Sequence, residues 1–191
     1  MIYYTADTHF GHENIMKHSH RPFESVDKMD EVLIKNWNNK VTNKDIIYIL
    51  GDFCFRSGKD PEYYLKQLNG KKVLLVGNHD GCIMKDIRNL SKYFEEITNY
   101  KEISDNGTKI VLSHYPIVEW NGFFRGTLHF YGHIHNNVEN KTYEIMKDIE
   151  NAYNVGVDIL NFAPQSKEDV IKLNKEFNLN VAKKNVFKQE R

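Results

Sequence analysis

Five apolar runs of four or five residues punctuate the chain: Ile2 to Ala6, Ile46 to Leu50, Val73 to Val76, Ile110 to Ser113 and Leu128 to Tyr131. Their length, and the Gly or polar residues that bound most of them, predict buried β-strands. Between the first two runs, Val26, Met29, Leu33, Ile34 and Trp37 recur at helical spacing, with Asp30, Lys35 and Asn38 assigned to the opposite side. This predicts an amphipathic crossover helix packed on a sheet. Asp60-Pro61 predicts the start of a second helix through Leu68, with Asp as N-cap, Pro at the first helical position and Gly70 soon after its end. Strand, helix and strand then alternate as in a βαβ unit.

A further helix is predicted from about Ile83 to Leu90. Asn106-Gly107, set between two apolar stretches, predicts a hairpin turn and brings antiparallel strands into the second half. Ser166 with Asp169 three residues later has the outline of a capping box, although Glu or Gln makes the reciprocal bond better than Asp. A helix is predicted to follow from Lys167 to Phe177, and the basic tail from Lys183 to Arg191 to be a solvated or frayed end. With no repeat, linker or low-complexity tract, residues 1–191 are expected to form a single domain.

Composition narrows the class. At 191 residues and 40% hydrophobic, the chain can bury a substantial core. Lys plus Arg and Asp plus Glu number 26 each, so no long-range field favours nucleic acid or an anionic membrane. A phosphate-bearing substrate would have to be held locally. No apolar run approaches the roughly 18 residues a membrane helix needs, and the start lacks a signal peptide's basic region and cleavage site. The first strand delivers Asp7, so the chain is expected to be mature from Met1. Two cysteines, Cys54 and Cys82, are too few for a disulfide framework and lack zinc-binding spacing. Reduced thiols and a cytoplasmic location are expected, with Cys54 filling space.

Each apolar run ends one or two residues before a polar cluster: Asp7-Thr8-His9, Gly51-Asp52, Gly77-Asn78-His79-Asp80, His114 after Ser113, and Gly132-His133-Ile134-His135. Strand ends are where open α/β sheets gather their sites. Any one of these histidines alone reads as an ordinary core or surface residue; together they read as a metal site. Two nearby cations repel, so a dinuclear site needs anionic ligands and usually a shared carboxylate, for which Asp52 is the candidate. Oxygen and imidazole donors suit Mn, Fe, Zn, Co or Ni, while the lack of thiolate argues against structural zinc. If the chain is extended there, His133 and His135 point the same way and can reach one centre. The glycines before Asp52, Asn78 and His133 fit tight turns close to the site.

The ordered set Asp-x-His, Gly-Asp, Gly-Asn-His-Asp, His, Gly-His-x-His resembles the calcineurin-like metallophosphoesterase superfamily over roughly residues 2 to 135. The opening Asp7-Thr-His-Phe-Gly-His-x-Asn14 is similar to small uncapped bacterial and phage phosphoesterases. Asn154-Val-Gly-Val-Asp158, followed by Pro164, resembles the closing strand and loop of that group. The resemblance implies an α/β fold, a four-layer sandwich of two mixed β-sheets packed face to face and flanked by helices. It implies two divalent metal ions, manganese being the expected species. One would be held by Asp7, His9 and His135, the other by Asn78, His114 and His133, with Asp52 between them. His79 would not be a ligand; it would assist the leaving group, with Asp80 orienting its ring. For Asp80 a plain helix N-cap is the alternative.

Two metals can turn a water between them into hydroxide near neutral pH and place it for in-line attack on phosphorus. An imidazole beside them can protonate the departing oxygen, a step typically worth about 10²–10⁴-fold. The expected function is therefore a metal-dependent phosphoesterase acting on a small phosphate ester or nucleotide. Phosphodiesters come ahead of monoesters, because His79 serves an alkoxide leaving group and no dianion clamp is visible. A monoesterase, a nuclease of the same superfamily and a non-catalytic binding scaffold are the alternatives. Arg56, His12 and Asn14 are candidate substrate-binding residues, against ordinary loop hydrogen bonding for the last two. Arg21 and Arg125 are further phosphate candidates. Phe123 and Phe124 could stack on a base, but a homodimer contact or loop anchor is the preferred reading. His18 and His20 read as polar-loop residues, and His129 as packing.

Overall fold

The first half of the chain returns repeatedly to one sheet. The computed structural model describes residues 1–189. In it β1 (Ile2–Thr5), β2 (Ile46–Ile49), β3 (Lys71–Leu75) and β4 (Phe94–Thr98) pair side by side in that order. All three pairings are parallel. Their crossovers carry α1 (Glu13–His18) and α2 (Val26–Lys40), then α3 (Pro61–Leu65), then α4 (Gly81–Lys85) and α5 (Ile87–Leu90). A second sheet, β5 (Tyr100–Asp105), β6 (Thr108–Ser113), β7 (Leu128–Tyr131) and β8 (Ala152–Asn154), is antiparallel between β5 and β6 and parallel elsewhere. The face-to-face sandwich is as expected, except that the first sheet is parallel and only the second is mixed. Helical crossovers join every strand of the first sheet, which is what parallel pairing requires. An isolated antiparallel bridge, Tyr4 to Gln165, stands beside β1.

Strand alternation divides the core into layers. Ile47, Ile49 and Leu74 face α2 and α3 in a cluster with Met29, Leu33, Trp37, Tyr64 and Leu65. Tyr48, Leu50, Val73 and Leu75 face the other way and meet Ile110, Leu112, Leu128 and Phe130 of the second sheet. The Tyr4 and Phe130 rings meet edge to face across this seam, with centroids 4.8 Å apart. The far side of the second sheet packs Val111 and Tyr131 against Trp120 and against Tyr143 and Met146 of α6 (Lys141–Met146). The last helix, α7 (Lys167–Gln189), packs against β1 and β8.

Several elements depart from the expectations. Asp30 lies buried inside α2's packed face, where it accepts hydrogen bonds from Gly11 N at 3.0 Å and Tyr64 Oη at 2.9 Å. α3 stops at Leu65, short of Leu68, and Asp60 makes no side-chain cap. The helix expected over Ile83 to Leu90 breaks at Asp86 into α4 and α5. Asn106 and Gly107, at φ 48° and 81°, turn the hairpin as their sequence predicts. Ser166 and Asp169 form a local pair: Ser166 Oγ accepts from Asp169 N at 3.3 Å and donates to its carboxylate at 3.1 Å. α7 runs well past Phe177, because Phe177 and Val181 continue its apolar face onto the third cluster. The tail predicted to fray from Lys183 therefore begins within this helix; residues 190–191 lie outside the described residues. Among the described residues no helix is long and apolar enough to cross a membrane.

Candidate metal centre

The loops leaving the C-terminal ends of β1, β2, β3, β6 and β7 converge at one end of the sandwich. Asp7, His9 and His135 bring one ligand atom each within 4.8 Å of one another, and Asp52, His114 and His133 form a second such group. Asp52 lies between them, its Oδ2 3.5 Å from His9 Nε2 and 3.6 Å from His114 Nε2. Its Oδ1 is taken by the His79 amide at 2.7 Å, so one oxygen is fixed and the other faces both groups. Asn78 Oδ1 is 3.0 Å from His114 Nε2, which places the amide with the second group. The seven predicted ligands thus come together.

Backbone strain accompanies the convergence. Asp7, His9, Asp52, His133 and His135 all have positive φ, between 49° and 70°. Left-handed backbone costs an L residue roughly 1–2 kcal/mol. The extended geometry expected for His133 and His135 is not found. They diverge instead, one to each ligand group. Two glycines make the crowding possible: a Cβ on Gly51 would sit 2.5 Å from His114 Nδ1, and one on Gly132 would sit 2.8 Å from Asp7 Oδ2.

A second ring of contacts aims the ligands. His114 Nδ1 lies 2.8 Å from the Leu50 carbonyl oxygen, a contact that needs Nδ1 protonated and leaves the Nε2 lone pair for a metal. His135 Nδ1 is likewise 2.8 Å from Asp158 Oδ2. Asp158 is gripped by Arg21, whose Nε and Nη2 donate to its two oxygens at 2.8 and 3.2 Å. Arg21 also donates to the Asp7 and Thr8 carbonyls at 2.7 and 2.9 Å. The carboxylate–imidazole pairing and the fixed tautomer are those of a metal-ligating histidine.

Electrostatics show what the pocket lacks. Both ring nitrogens of His9 are buried without a hydrogen-bond partner. Burial and the neighbouring His135 push the His9 pKa well down, holding its ring neutral. Burial pushes the Asp7 carboxyl up to about 6 even with His135 and His114 nearby. Asp158 is held below the usual carboxylate range: burial opposes this, but the His135 hydrogen bond and the Arg21 charge outweigh it. Unpartnered imidazole nitrogens beside costly buried carboxyls fit divalent cations, which would satisfy both.

Residues 1–181 match the family described as calcineurin-like phosphoesterase. The chain belongs to that family. It is 37% identical over 174 residues to an uncharacterised protein of Methanocaldococcus jannaschii, covering 90% of each chain. It is 27% identical over 165 residues to the gene 66 protein of Mycobacterium phage D29, covering 74% of this chain and 81% of that one. Among solved structures it resembles a protein of unknown function from Aquifex aeolicus, with 32% identity and a TM-score of 0.67, covering 91% of this chain and 98% of that one. The phosphoesterase is thus a metal-dependent phosphoric ester hydrolase, and the two groups above are candidates for holding its divalent metal ions.

The phosphoesterase's site opens into a cleft of about 560 Å³ that His12, Asn14, Phe55, Arg56 and His79 line together with the ligand loops. Three expectations are corrected here. Asp80 stands at the N-cap position of α4, but its side chain makes no capping bond there and none to the His79 ring. Its buried carboxylate accepts backbone N–H groups from Asp52 at 3.0 Å, Phe53 at 2.8 Å and Gly77 at 2.7 Å, tying two ligand loops together. What packs on the His79 ring is Phe55, with centroids 4.0 Å apart. Arg21 is not a phosphate candidate, because its side chain is wholly buried against Asp158. Arg125 lies in a different surface groove, near Glu102 and Asn121. Phe123 packs on the third cluster while Phe124 is exposed. His18 lines the cleft and His20 is exposed. His129 is buried in packing as expected, accepting from Ile117 N at 3.0 Å, and burial lowers its pKa to about 4. Asp158 and Phe55 escaped the sequence reading. The only signal for Asp158 was its place in the Asn154-Val-Gly-Val-Asp158 segment.

Proposed function

We propose that this phosphoesterase hydrolyses small phosphodiesters in preference to monoesters, with His79 as the group that protonates the leaving oxygen. The observation that carries the proposal is the position of His79. It lies in the cleft next to His9, ring centroids 5.4 Å apart, yet belongs to neither ligand group. When bound, two divalent cations supply a water-derived nucleophile at neutral pH and offset charge on the phosphoryl oxygens. Asp7, His9 and His135 would hold one and Asn78, His114 and His133 the other, with Asp52 shared. The donor set is imidazole, carboxylate and amide without thiolate, which suits manganese.

The remaining chemistry belongs to the chain. The amide of His79 is bonded to Asp52 Oδ1, so the imidazole that meets the leaving group is tethered to the shared ligand itself. Phe55 packs on that imidazole and keeps water from one side of it. Arg56, its guanidinium carbon 5.1 Å from the Phe55 centroid, is the cation of the cleft wall and can give two parallel hydrogen bonds to a phosphate. A single guanidinium suits the one negative charge of a diester better than a dianion. His12 and Asn14 line the same wall and are proposed to contact the substrate's ester arm.

The test compares bis(p-nitrophenyl) phosphate with p-nitrophenyl phosphate in Mn²⁺, for the natural chain and His79→Ala. We expect the diester to be the better substrate. His79→Ala should keep both metals while kcat for a diester with a poor alkoxide leaving group falls about 10²–10⁴-fold. Turnover confined to the monoester would overturn the diester preference, and metal loss in His79→Ala would make His79 a ligand.

A further inference from the structure

Behind the metal-binding loops lies a pair of groups that phosphoester hydrolysis does not use. Cys54 and Cys82 are both free thiols, and their Sγ atoms are 3.0 Å apart. Each follows a carboxylate of the site by two residues, Asp52 in one case and Asp80 in the other. The fold itself brings them together. Asp80 clamps the backbone N–H groups of Asp52 and Phe53, which docks that segment on the start of α4. Cys82 Sγ then donates to the Cys54 carbonyl oxygen at 3.3 Å. Cys54 is buried and Cys82 half-buried, so the Cys82 side of the pair is the one nearer solvent.

We propose that Cys54 and Cys82 are a redox modification site, closing reversibly into an intramolecular disulfide by exchange with a low-molecular-weight disulfide. The Cys82 sulfur, giving up its proton, attacks one sulfur of the small disulfide; that S–S bond breaks and one small thiol leaves. The Cys54 sulfur, also giving up its proton, then attacks Cys82 Sγ, forming the internal bond and expelling the second small thiol. Two protein thiols are oxidised, one disulfide is reduced to two thiols, and the protons balance. An S–S bond is about 2.05 Å long, so the sulfurs need to approach by only about 1 Å. The bond joins residues 28 apart and staples the loop carrying Asp52 to the one carrying Asn78 and His79. It should therefore restrain the unfolded chain and slow the escape of metal.

The experiment exposes the metal-loaded full chain to glutathione disulfide and glutathione at graded ratios, blocks remaining thiols with N-ethylmaleimide, and records intact mass and peptide maps. Expected is a chain two hydrogens lighter with both thiols lost together, a Cys54–Cys82 linked peptide, and reversal by dithiothreitol. The oxidised form should unfold about 5–10 °C higher than the reduced form and lose metal to a chelator more slowly. Cys82→Ser should fold, keep diester turnover and show none of these changes. Two alkylatable thiols at every ratio, a lasting glutathione adduct on Cys82, or a disulfide-linked dimer would each overturn the proposal. So would a disulfide that leaves both the unfolding midpoint and metal release unchanged.

Discussion

At Asp7, His9, Asp52, His133 and His135 the backbone takes a conformation that crowds an L side chain, and it does so where the ligands are needed. His133 separates this strain from metal binding, because it is only half-buried and stands at φ 70°. With metal removed, His133→Gly should be more stable than His133→Ala by about 1 kcal/mol, since glycine alone relaxes at positive φ. Denaturant midpoints of the two chelated variants measure it, and equal midpoints would remove strain from the account. Asp7 sets a pH dependence. Burial raises its folded pKa from 3.8 to about 6, so the metal-free native state binds the proton more tightly than the unfolded chain does. That contribution costs the native state stability as pH rises from about 4 to 6. A metal needs the ionised form, so its affinity should run the other way and fall about tenfold per pH unit below 6. Competition with a metal indicator at pH 5 and 7 reads this, and equal affinities would contradict it. The candidate ligands were legible because Asp, His and Asn recur in short pairings after apolar runs. Their positive φ was not, because Asp and His, although enriched in left-handed backbone, adopt it at only a small minority of their positions. Asp158 was hidden for a different reason: its partners Arg21 and His135 are joined to it only by folding.

Elements explain why those residues meet. The strands of the five apolar runs were legible because most of their residues are buried, and α2 was legible from its helical spacing. β4 was missed, since Phe94–Thr98 is an edge strand whose two glutamates are exposed and break the apolar signal. Asp30 was assigned to solvent because its partners, Gly11 and Tyr64, lie on other elements. The start of α4 is similar in kind. Asp80 reads locally as a cap or as the partner of its neighbour His79, while its carboxylate reaches back across to the β2 loop. Asp80→Asn keeps the shape but offers one carbonyl oxygen to three N–H donors and brings an NH2 of its own. Each buried donor left without a partner costs about 1–3 kcal/mol. We expect Asp80→Asn to lose at least that in a urea titration and to bind less metal, because Asp52 is no longer held in place. His79→Ala, beside it, should do neither. Full metal content in Asp80→Asn would show that the loop tie is dispensable.

For the molecule as a whole, the site lies on the seam between the two sheets. Asp7, His9, Asp52 and Asn78 leave strands of the first sheet, whereas His114, His133 and His135 leave strands of the second. Bound cations would therefore join the two halves of the sandwich at an end where the interior is polar. The first group draws on both sheets by itself, with Asp7 and His9 from one and His135 from the other. Without cations, that end keeps a neutral unpartnered imidazole at His9, an unfavourably buried carboxyl at Asp7 and several strained residues. A cation present at about 100 times its dissociation constant stabilises the native state by roughly 2.7 kcal/mol. In a chain of this size that corresponds to about 5–10 °C in the unfolding midpoint. Stripping the phosphoesterase with a chelator should lower its midpoint by that amount, and adding back Mn²⁺ or Zn²⁺ should restore it. The same shift should persist in His79→Ala, which removes chemistry and leaves the ligands. In Asp52→Ala it should nearly vanish, because the carboxylate facing both ligand groups is gone. A chelator shift that survives Asp52→Ala at full size would place the stabilising cations somewhere other than this seam.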